Sequence, residues 1–340
     1  MSQIGLSIKN SNINPYKEQA TDKVKHSLKL DKWDEKKKRN FNISKAYLDA
    51  KLEKKFLRVS TCANVLQFQQ NQHGQKLAYA WFCKVRLCPM CSWRRSIKIA
   101  NQNKQIVSIA NQREPLRWIF LTLTTGKTVE SKHLKNRIEH SMHSFNRFMK
   151  YNKIQKVVRG YFRGLEITKS KNKYHPHFHV LLAVKPSYFG GSYITKMQWG
   201  ELWKKALKSN ESVIVDIRTV KANKKYQQLS ENAVQAFEAA LLEVSKYPVK
   251  DTEFVKGNRQ ENAVTVYTMD YALSNKRLIG YGGLLKQIRT ELYFSHTEKK
   301  NTGILSLSDQ DSTDPAAQQI EKITAYWHYG FRQYIVKNLI

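Results

Sequence analysis

The stretch Tyr174-His175-Pro176-His177-Phe178-His179-Val180-Leu181-Leu182-Ala183-Val184 has the residue pattern of a β-strand. Its histidines alternate with other residues, and alternate side chains of a strand point to opposite faces. His175, His177 and His179 therefore share one face, roughly 7 Å apart per step of two residues. Two imidazoles at this spacing can converge on one cation, and imidazole is the commonest metal ligand in proteins. The pattern favours a metal site over three histidines on a solvated strand face.

A second strand is predicted from Tyr161 to Thr168, and it carries Glu166. A short basic turn, Lys169 to Lys173, separates it from the histidine strand, which predicts an antiparallel hairpin. In such a hairpin Glu166 can oppose the histidines and supply an oxygen ligand. We therefore expect two of the histidines and Glu166 to hold a divalent metal, with His175 as the rival of Glu166.

The composition of the chain predicts a nucleic-acid partner. Its 340 residues carry 59 Lys and Arg against 27 Asp and Glu, for a net charge of +32, and the apolar share of 41% suffices for an ordinary core. A chain of this length can form two domains or one elaborated domain. A globular protein this basic is expected to bind a polyanion, most commonly nucleic acid.

No feature of the sequence predicts a membrane partner. Its apolar runs are shorter than the roughly 18 residues of a membrane helix. The N-terminal residues Met1 to Asn10 lack the apolar core of a signal peptide. We therefore expect a cytoplasmic protein.

The four cysteines lie within a span of 30 residues, at Cys62, Cys83, Cys88 and Cys91. Disulfides are rare in the cytosol, and a Cys-x2-Cys pair with two further thiols is typical of a structural zinc site. Four thiolates close the tetrahedral shell of zinc and leave no position open for catalysis. His73 can replace one of these ligands, and four buried free cysteines are the alternative to a metal site.

The remaining segments show the residue periodicity of either strands or helices. The strands are predicted over Trp118–Gly126 and Ser212–Val220. The helices are predicted over residues 44–56, 93–112, Ser131–Tyr151, Met197–Ser209, Glu231–Tyr247 and Asp270–Leu278.

Three segments of the chain resemble the three motifs of HUH endonucleases, in the same order and at similar spacing. They are the strand Phe120 to Thr125, the triplet His177-Phe178-His179, and Tyr247-x-x-Lys250. The replication initiator (Rep) proteins of bacterial rolling-circle plasmids are the group that the chain resembles more closely. That closer resemblance is carried by Cys83 to Cys91, His175 to His179 and Glu243-x-x-Lys246-Tyr247, and it covers about residues 58–290.

The resemblance implies an α+β fold. An antiparallel sheet of about five strands would be flanked by helices, the HUH endonuclease fold, and accompanied by a small zinc-binding module. The expected organisation is a basic N-terminal arm over residues 1–54 and a four-cysteine zinc module over 55–100. The endonuclease domain would follow over 101–290, and a polar linker with an aromatic C-terminal segment over 291–340.

The resemblance also implies a reaction, the nicking of one strand at a plasmid's double-strand origin. Tyr247 would attack the scissile phosphate, keep the 5′-phosphate covalently and free a 3′-hydroxyl to prime synthesis. His177 and His179, with Glu166, would hold the divalent metal. Mn²⁺ should bind better than Mg²⁺, because Mg²⁺ prefers an all-oxygen shell.

Three further residues receive roles from the same resemblance. Glu243 would activate water for the terminating cleavage and so replace a second tyrosine. Lys250 would lie near the phosphate. Lys246 would favour the deprotonated form of the tyrosine.

The expected partners are double- and single-stranded origin DNA, and the oligomeric state stays open. The sequence lacks a P-loop lysine motif, so we expect a host helicase to unwind the DNA. One alternative is a non-catalytic, zinc-dependent DNA-binding regulator. Another is an HUH enzyme of different biology, either a transposase or a conjugative relaxase.

Overall fold

The computed structural model describes residues 30–71, 74–209, 213–220, 254–293 and 321–336. The chain divides into two compact units. The first unit comprises Met1–Lys38, Thr61–Phe82 and Ile304–Ile340, and the second comprises Arg39–Ser60 and Cys83–Gly303.

The described ranges contain both helices and strands. The helices are α1 (Leu30–Asp49), α2 (Glu53–Ser60), α3 (Pro89–Arg113), α4 (Ser131–Phe148), α5 (Asn152–Gln155), α6 (Lys196–Leu207), α7 (Arg259–Leu273) and α8 (Gly283–Tyr293). The strands are β1 (Val65–Asn71), β2 (Gly74–Ala80), β3 (Arg117–Thr124), β4 (Val129–Glu130), β5 (Val158–Ser170), β6 (Lys173–Val184), β7 (Val215–Thr219), β8 (Ile279–Gly282), β9 (Glu321–His328) and β10 (Gln333–Val336). Of these helices, none combines the length and apolar character needed to cross a membrane.

The second unit is built on an antiparallel sheet of strand order β7-β3-β6-β5-β8, and the short β4 pairs with the start of β6. This sheet confirms the predicted α+β class and the prediction of about five strands. The predicted hairpin is also present, since Ser170 of β5 pairs with Lys173 of β6 across a two-residue turn. Lys171 in that turn has φ of 52°, the left-handed conformation that short hairpin turns require.

Helices α4 and α6 cover one face of this sheet. Phe178 and Val180 of β6 are fully buried on it, as the alternation of the strand requires. The ring of Phe145 on α4 lies 5.2 Å from the Phe178 ring, and the ring of Trp203 on α6 lies 6.3 Å from it. A slip of one residue in the register would exchange these side chains with the histidines. The aromatic core therefore fixes which face of β6 the histidines occupy.

The opposite face carries an apolar cluster at one end and the histidines at the other. Helices α3 and α8 pack against the end that contains Phe120, Phe162 and Leu181. His179 and His177 follow on the same face of β6, and the ring of Phe120 lies 5.6 Å from that of His179. The histidines thus lie where the apolar cluster ends.

The first unit contains an antiparallel sheet that sequence reasoning did not predict, of strand order β10-β9-β1-β2. Its strands β9 and β10 come from the aromatic C-terminal segment. Leu66, Phe68 and Ala325 are buried on one face of it, and the hydroxyl of Tyr334 donates to the carbonyl oxygen of Ala63. The C-terminal segment is therefore part of a packed sheet.

The helix predicted over Asp270–Leu278 was wrongly placed, because α7 spans Arg259–Leu273. Asn258 caps its start. The Asn258 side chain accepts from the Glu261 N–H at 2.9 Å, and the Glu261 carboxylate accepts from the Asn258 N–H at 3.2 Å. The helix ends early because Asn275 adopts a positive φ of 57° and the chain then enters β8.

Candidate metal centre

Two neighbouring strands bring together Glu166, His177 and His179, which we call the metal group. Glu166 of β5 is the register partner of His177 of β6, and His179 lies two residues further along the same face. One carboxylate oxygen and one nitrogen from each ring lie within 4.8 Å of one another. The register of the β5–β6 hairpin is enough to assemble the group.

A single carboxylate oxygen faces both imidazole rings. Glu166 Oε2 lies 3.1 Å from His177 Nε2 and 2.6 Å from His179 Nε2. His177 Nδ1 donates to the carbonyl oxygen of His175 at 3.2 Å, so a neutral His177 ring presents an unprotonated Nε2. An unprotonated nitrogen and a carboxylate oxygen repel each other unless a proton or a cation lies between them. The metal group is therefore arranged to take up positive charge.

His179 is held in place from two sides. Its Nδ1 lies 3.3 Å from Thr122 Oγ1 on β3, and its ring packs against Phe120. A hydrogen bond to the second nitrogen of a ligand ring fixes its orientation. Sequence reasoning missed Thr122, because only the register between β3 and β6 reveals that it faces His179.

His175 lies outside the metal group and has a main-chain partner. Its Nε2 lies 3.1 Å from the carbonyl oxygen of Gly126, and its ring centre lies 6.0 Å from that of His177. Burial lowers the pKa of His175 below its ordinary value, and the neighbouring His177 lowers it further. A neutral His175 can donate to Gly126 and support the loop after β3. Its role as a rival ligand stays a prediction.

The donor set and spacing of the metal group fit a divalent cation. Ligands about 2.1 Å from a six-coordinate ion lie about 3 Å apart when adjacent, close to the spacing of the group. The three side chains are between 11% and 17% exposed, so substrate and water can reach the ion's remaining positions. Two imidazoles and one carboxylate leave such positions open, as catalytic metal sites do.

The four cysteines form a second group, which we call the thiol group. The sulfur atoms of the four cysteines, Cys62, Cys83, Cys88 and Cys91, all lie within 4.8 Å of one another. All four residues are buried, and none forms a disulfide. The sulfurs of Cys83 and Cys91 are 3.6 Å apart, near the roughly 3.8 Å expected for two thiolates 2.3 Å from a tetrahedral zinc. The thiol group can therefore form the predicted zinc site. His73 lies outside the described residues.

Two side chains of the second unit support its cysteine segment. Asn40 on α1 donates its amide to the Cys88 sulfur at 3.2 Å, and Arg58 on α2 donates to the carbonyl oxygen of Cys83 at 2.5 Å. A hydrogen bond donated to a sulfur, such as that from Asn40, stabilises the negative charge of a thiolate ligand. Sequence reasoning missed Asn40, which is 48 residues from Cys88.

The predicted catalytic residues Glu243, Lys246, Tyr247 and Lys250 all lie outside the described residues. The helix predicted over Glu231–Tyr247 lies outside them as well. The roles of these four residues stay predictions.

A charged pair on β7 lies beside the metal group. Asp216 and Arg218 are the register partners of Thr122 and Phe120, so they share the sheet face of His179. Arg218 Nε lies 3.2 Å from Asp216 Oδ2, and the guanidinium lies 5.2 Å from the centre of the Phe120 ring. The Arg218 side chain is 58% exposed, so it can also meet a phosphate from solvent.

Comparison with known proteins gives a consistent family assignment. A family model described as "Replication protein" matches residues 74–335. "Protein rep" of Bacillus amyloliquefaciens is 46% identical over 294 residues, which cover 84% of this chain and 85% of that protein. "Protein rep" of Lactiplantibacillus plantarum is 36% identical over 313 residues, which cover 91% and 96% of the two chains. "Protein rep" of Streptococcus pneumoniae serotype 2 is 38% identical over 288 residues, covering 83% and 84%.

Likeness to solved structures is weak. A tripeptidase from Staphylococcus aureus superposes with a TM-score of 0.22 at 7% identity, over 51% of this chain and 52% of that one. A superposition of this quality carries no argument about fold or function.

Proposed function

Since the chain belongs to the replication-protein family of plasmid replication initiators, we propose that it nicks one strand of origin DNA through a 5′-phosphotyrosine on Tyr247. The observation that carries the proposal is the convergence of Glu166, His177 and His179 on one partly exposed point of the sheet. The nick frees a 3′-hydroxyl that primes rolling-circle synthesis. A later cleavage and rejoining ends the cycle.

The proposed nick is a transesterification at phosphorus. The phenolic oxygen of Tyr247 bonds to the scissile phosphorus while the bond from phosphorus to the 3′-oxygen breaks. The phenol loses its proton and the departing 3′-oxygen gains one. Rejoining is the same exchange in reverse, so it needs no nucleotide cofactor.

Glu166, His177 and His179 would hold the divalent cation, Mn²⁺ or Mg²⁺. When bound, the ion offsets the negative charge that builds on the phosphate oxygens during the exchange. The nitrogen-rich donor set favours Mn²⁺. The hydroxyl of Thr122 and the carbonyl oxygen of His175 hold the two rings ready to ligate.

Glu243, Lys250 and Lys246 complete the proposed site on the strength of the sequence motif. Glu243 activates water for the terminating cleavage. Lys250 lies close to the scissile phosphate, and Lys246 favours the deprotonated tyrosine.

We assign the thiol group to a structural zinc, because four buried thiolates leave no open position on the ion. The proposed partners are double- and single-stranded origin DNA, in line with the net charge of +32, and a host helicase. The proposed location is the cytoplasm, and the proposed nicking reaction is compatible with a monomer or a homo-oligomer.

The test is a nicking assay on a supercoiled plasmid that carries the cognate origin and on a single-stranded origin oligonucleotide. We expect the wild type to give a Mn²⁺-dependent nick and a protease-sensitive covalent adduct, both lost in EDTA. Tyr247→Phe should bind the oligonucleotide and give neither product. Tyr193→Phe is the matched control, since Tyr193 is 53% exposed, and it should nick like the wild type. A Tyr247→Phe variant that still nicks would remove Tyr247 from the mechanism.

A non-catalytic, zinc-dependent DNA-binding regulator is the second candidate, favoured by the thiol group together with the positive charge. It predicts that Tyr247→Phe is silent and that origin binding needs no Mn²⁺. Tight binding of the cognate origin by a wild type that never nicks it in Mn²⁺ would establish this candidate instead.

A further inference from the structure

The outward face of the first unit's sheet carries large aromatic side chains. Along β9, the exposed Lys322 and Tyr326 alternate with buried residues such as Ile323. Tyr326 is 41% exposed, Tyr79 of β2 is 44% exposed, and Trp81, directly after β2, is 46% exposed. A sheet with one face on its core ordinarily presents polar side chains on the other. Three exposed aromatic rings on the outer face of this sheet therefore indicate a binding surface.

The strand register places basic side chains beside these rings. Tyr79 pairs with Gln67 of β1. Gln69, the next outward residue of β1, pairs with Lys76 of β2 on one side and with Lys322 of β9 on the other. A row with an aromatic ring and an amide is thus followed by a row with two lysines. A register shift between the two rows keeps Tyr79 and Lys76 on the same face of β2, although they are three residues apart. Successive outward residues of a strand lie roughly 7 Å apart, so one nucleic-acid strand can contact both kinds of group.

The other two rings extend the same face. Tyr326 pairs with Val65 of β1 and with Ile335 of β10. Trp81 follows the buried Ala80, so the alternation of the strand places its ring outward. We call Tyr79, Trp81 and Tyr326, together with Lys76 and Lys322, the aromatic sheet face.

The charge of this face selects the kind of partner. Among the described side chains of its four strands, Lys76 and Lys322 are the permanently charged ones, and no carboxylate is present. The face thus combines flat rings, amides and cations. Unpaired bases stack on aromatic side chains while lysines contact the phosphates of the same strand. Bases in a duplex remain stacked on one another, so duplex DNA cannot use the rings.

We propose that the aromatic sheet face binds single-stranded DNA by base stacking on Tyr79, Trp81 and Tyr326. The amide of Gln67, beside Tyr79, can donate to or accept from a base edge. The inference goes beyond nicking, because this sheet contributes no residue to the metal group. The inference rests on the proposed function in one respect, the source of the single-stranded DNA. That source is the strand displaced after the nick.

The test is the fluorescence anisotropy of labelled oligo(dT) with the full-length protein, without added divalent cation. One stacked base contributes about 5- to 150-fold in affinity. We expect Trp81→Ala to weaken binding about tenfold and Trp81→Phe to retain most of the affinity. Tyr79→Ala gives a second measurement from another position. Tyr193 of the second unit is 53% exposed, somewhat more than these rings, and Tyr193→Ala should bind like the wild type.

Three results would overturn the proposal. The first is unchanged oligo(dT) affinity in both Trp81→Ala and Tyr79→Ala. The second is an equal loss of affinity for a duplex of the same length. The third is a loss of self-association in sedimentation with unchanged oligo(dT) affinity, which would assign the face to a second copy of the chain. A wild type that cannot nick but shows Trp81-dependent oligo(dT) binding would overturn the nicking proposal alone.

Discussion

The metal group and the thiol group differ in how far they are open to solvent. The Glu166 and His179 side chains are 15% and 17% exposed. The four cysteines are all buried, as is most of His177. A closed shell of thiolates can stabilise a fold but cannot bind a substrate, and an open mixed set can do so. Under the proposed assignments, donor type and burial thus distinguish a structural metal site from a reactive one within one chain.

The two groups also differ in what holds them together without a cation. Glu166 can hydrogen-bond both histidines once a proton is shared, and the β5–β6 register keeps the geometry. The sulfurs of Cys83 and Cys91 also face each other, at 3.6 Å, but four deprotonated sulfurs repel one another unless a cation lies among them. Loss of metal should therefore silence the first group and destabilise the fold around the second.

The largest expected effect follows from His179→Ala. This change removes one ligand from an otherwise intact sheet, so the single-turnover nicking rate should fall about a thousandfold, or roughly 4 kcal/mol. Isothermal titration should show that Mn²⁺ binding is lost. His175→Ala is the matched control and should cost less than about tenfold. Equal losses of nicking rate in the two variants would instead indicate that His175 is also a metal ligand.

Cys91→Ser should lower the free energy of unfolding by about 3 kcal/mol, because the closed zinc shell loses a ligand. Urea titration measures this loss, and atomic absorption should show zinc falling from one ion per chain to none. At low temperature the nicking rate per folded molecule should stay near that of the wild type. A wild type that contains no zinc, together with unchanged stability in Cys91→Ser, would mean that the cysteines are merely buried thiols.

The smallest expected effect comes from Thr122→Val, which keeps the shape of the side chain and removes the hydroxyl that contacts His179. Its affinity for Mn²⁺ should fall about tenfold, since partners of metal ligands contribute 10- to 100-fold. The free energy of unfolding should change by about 1 kcal/mol or less. Thr124→Val, on the same face of β3, is the control, because the Thr124 hydroxyl donates to Ile214 instead. Equal effects would show that the Thr122 hydroxyl does not orient His179.

The metal group could be foreseen because its information is local. Glu166 and His177 are 11 residues apart, and an alternating pattern with a short turn suffices to pair them. Thr122 and Asn40 could not be foreseen, since 57 and 48 residues separate them from His179 and Cys88. Contacts of that kind depend on tertiary register, which a single sequence does not display.

The first unit's sheet was missed for a related reason. The apolar–polar alternation of β1 covers only Leu66 to Gln69, and its partner β9 is far along the chain. The start of α7 is a different case. The capping box of Asn258 and Glu261 was visible in the sequence, but the helix was placed by its apolar residues alone.

The pairing of β1 with β9 also has a consequence for synthesis on the ribosome. β1 ends at residue 71 and β9 begins at 321, so 321 − 71 = 250 residues separate them. At roughly 5–20 residues per second, β1 waits about 12–50 s for this partner. Until then it can pair only with β2, and an isolated two-stranded hairpin is marginal in water. A nascent chain thus acquires the β5–β6 hairpin well before the sheet of the first unit. Under our two proposals, translation itself sets the order in which metal binding and single-strand binding appear.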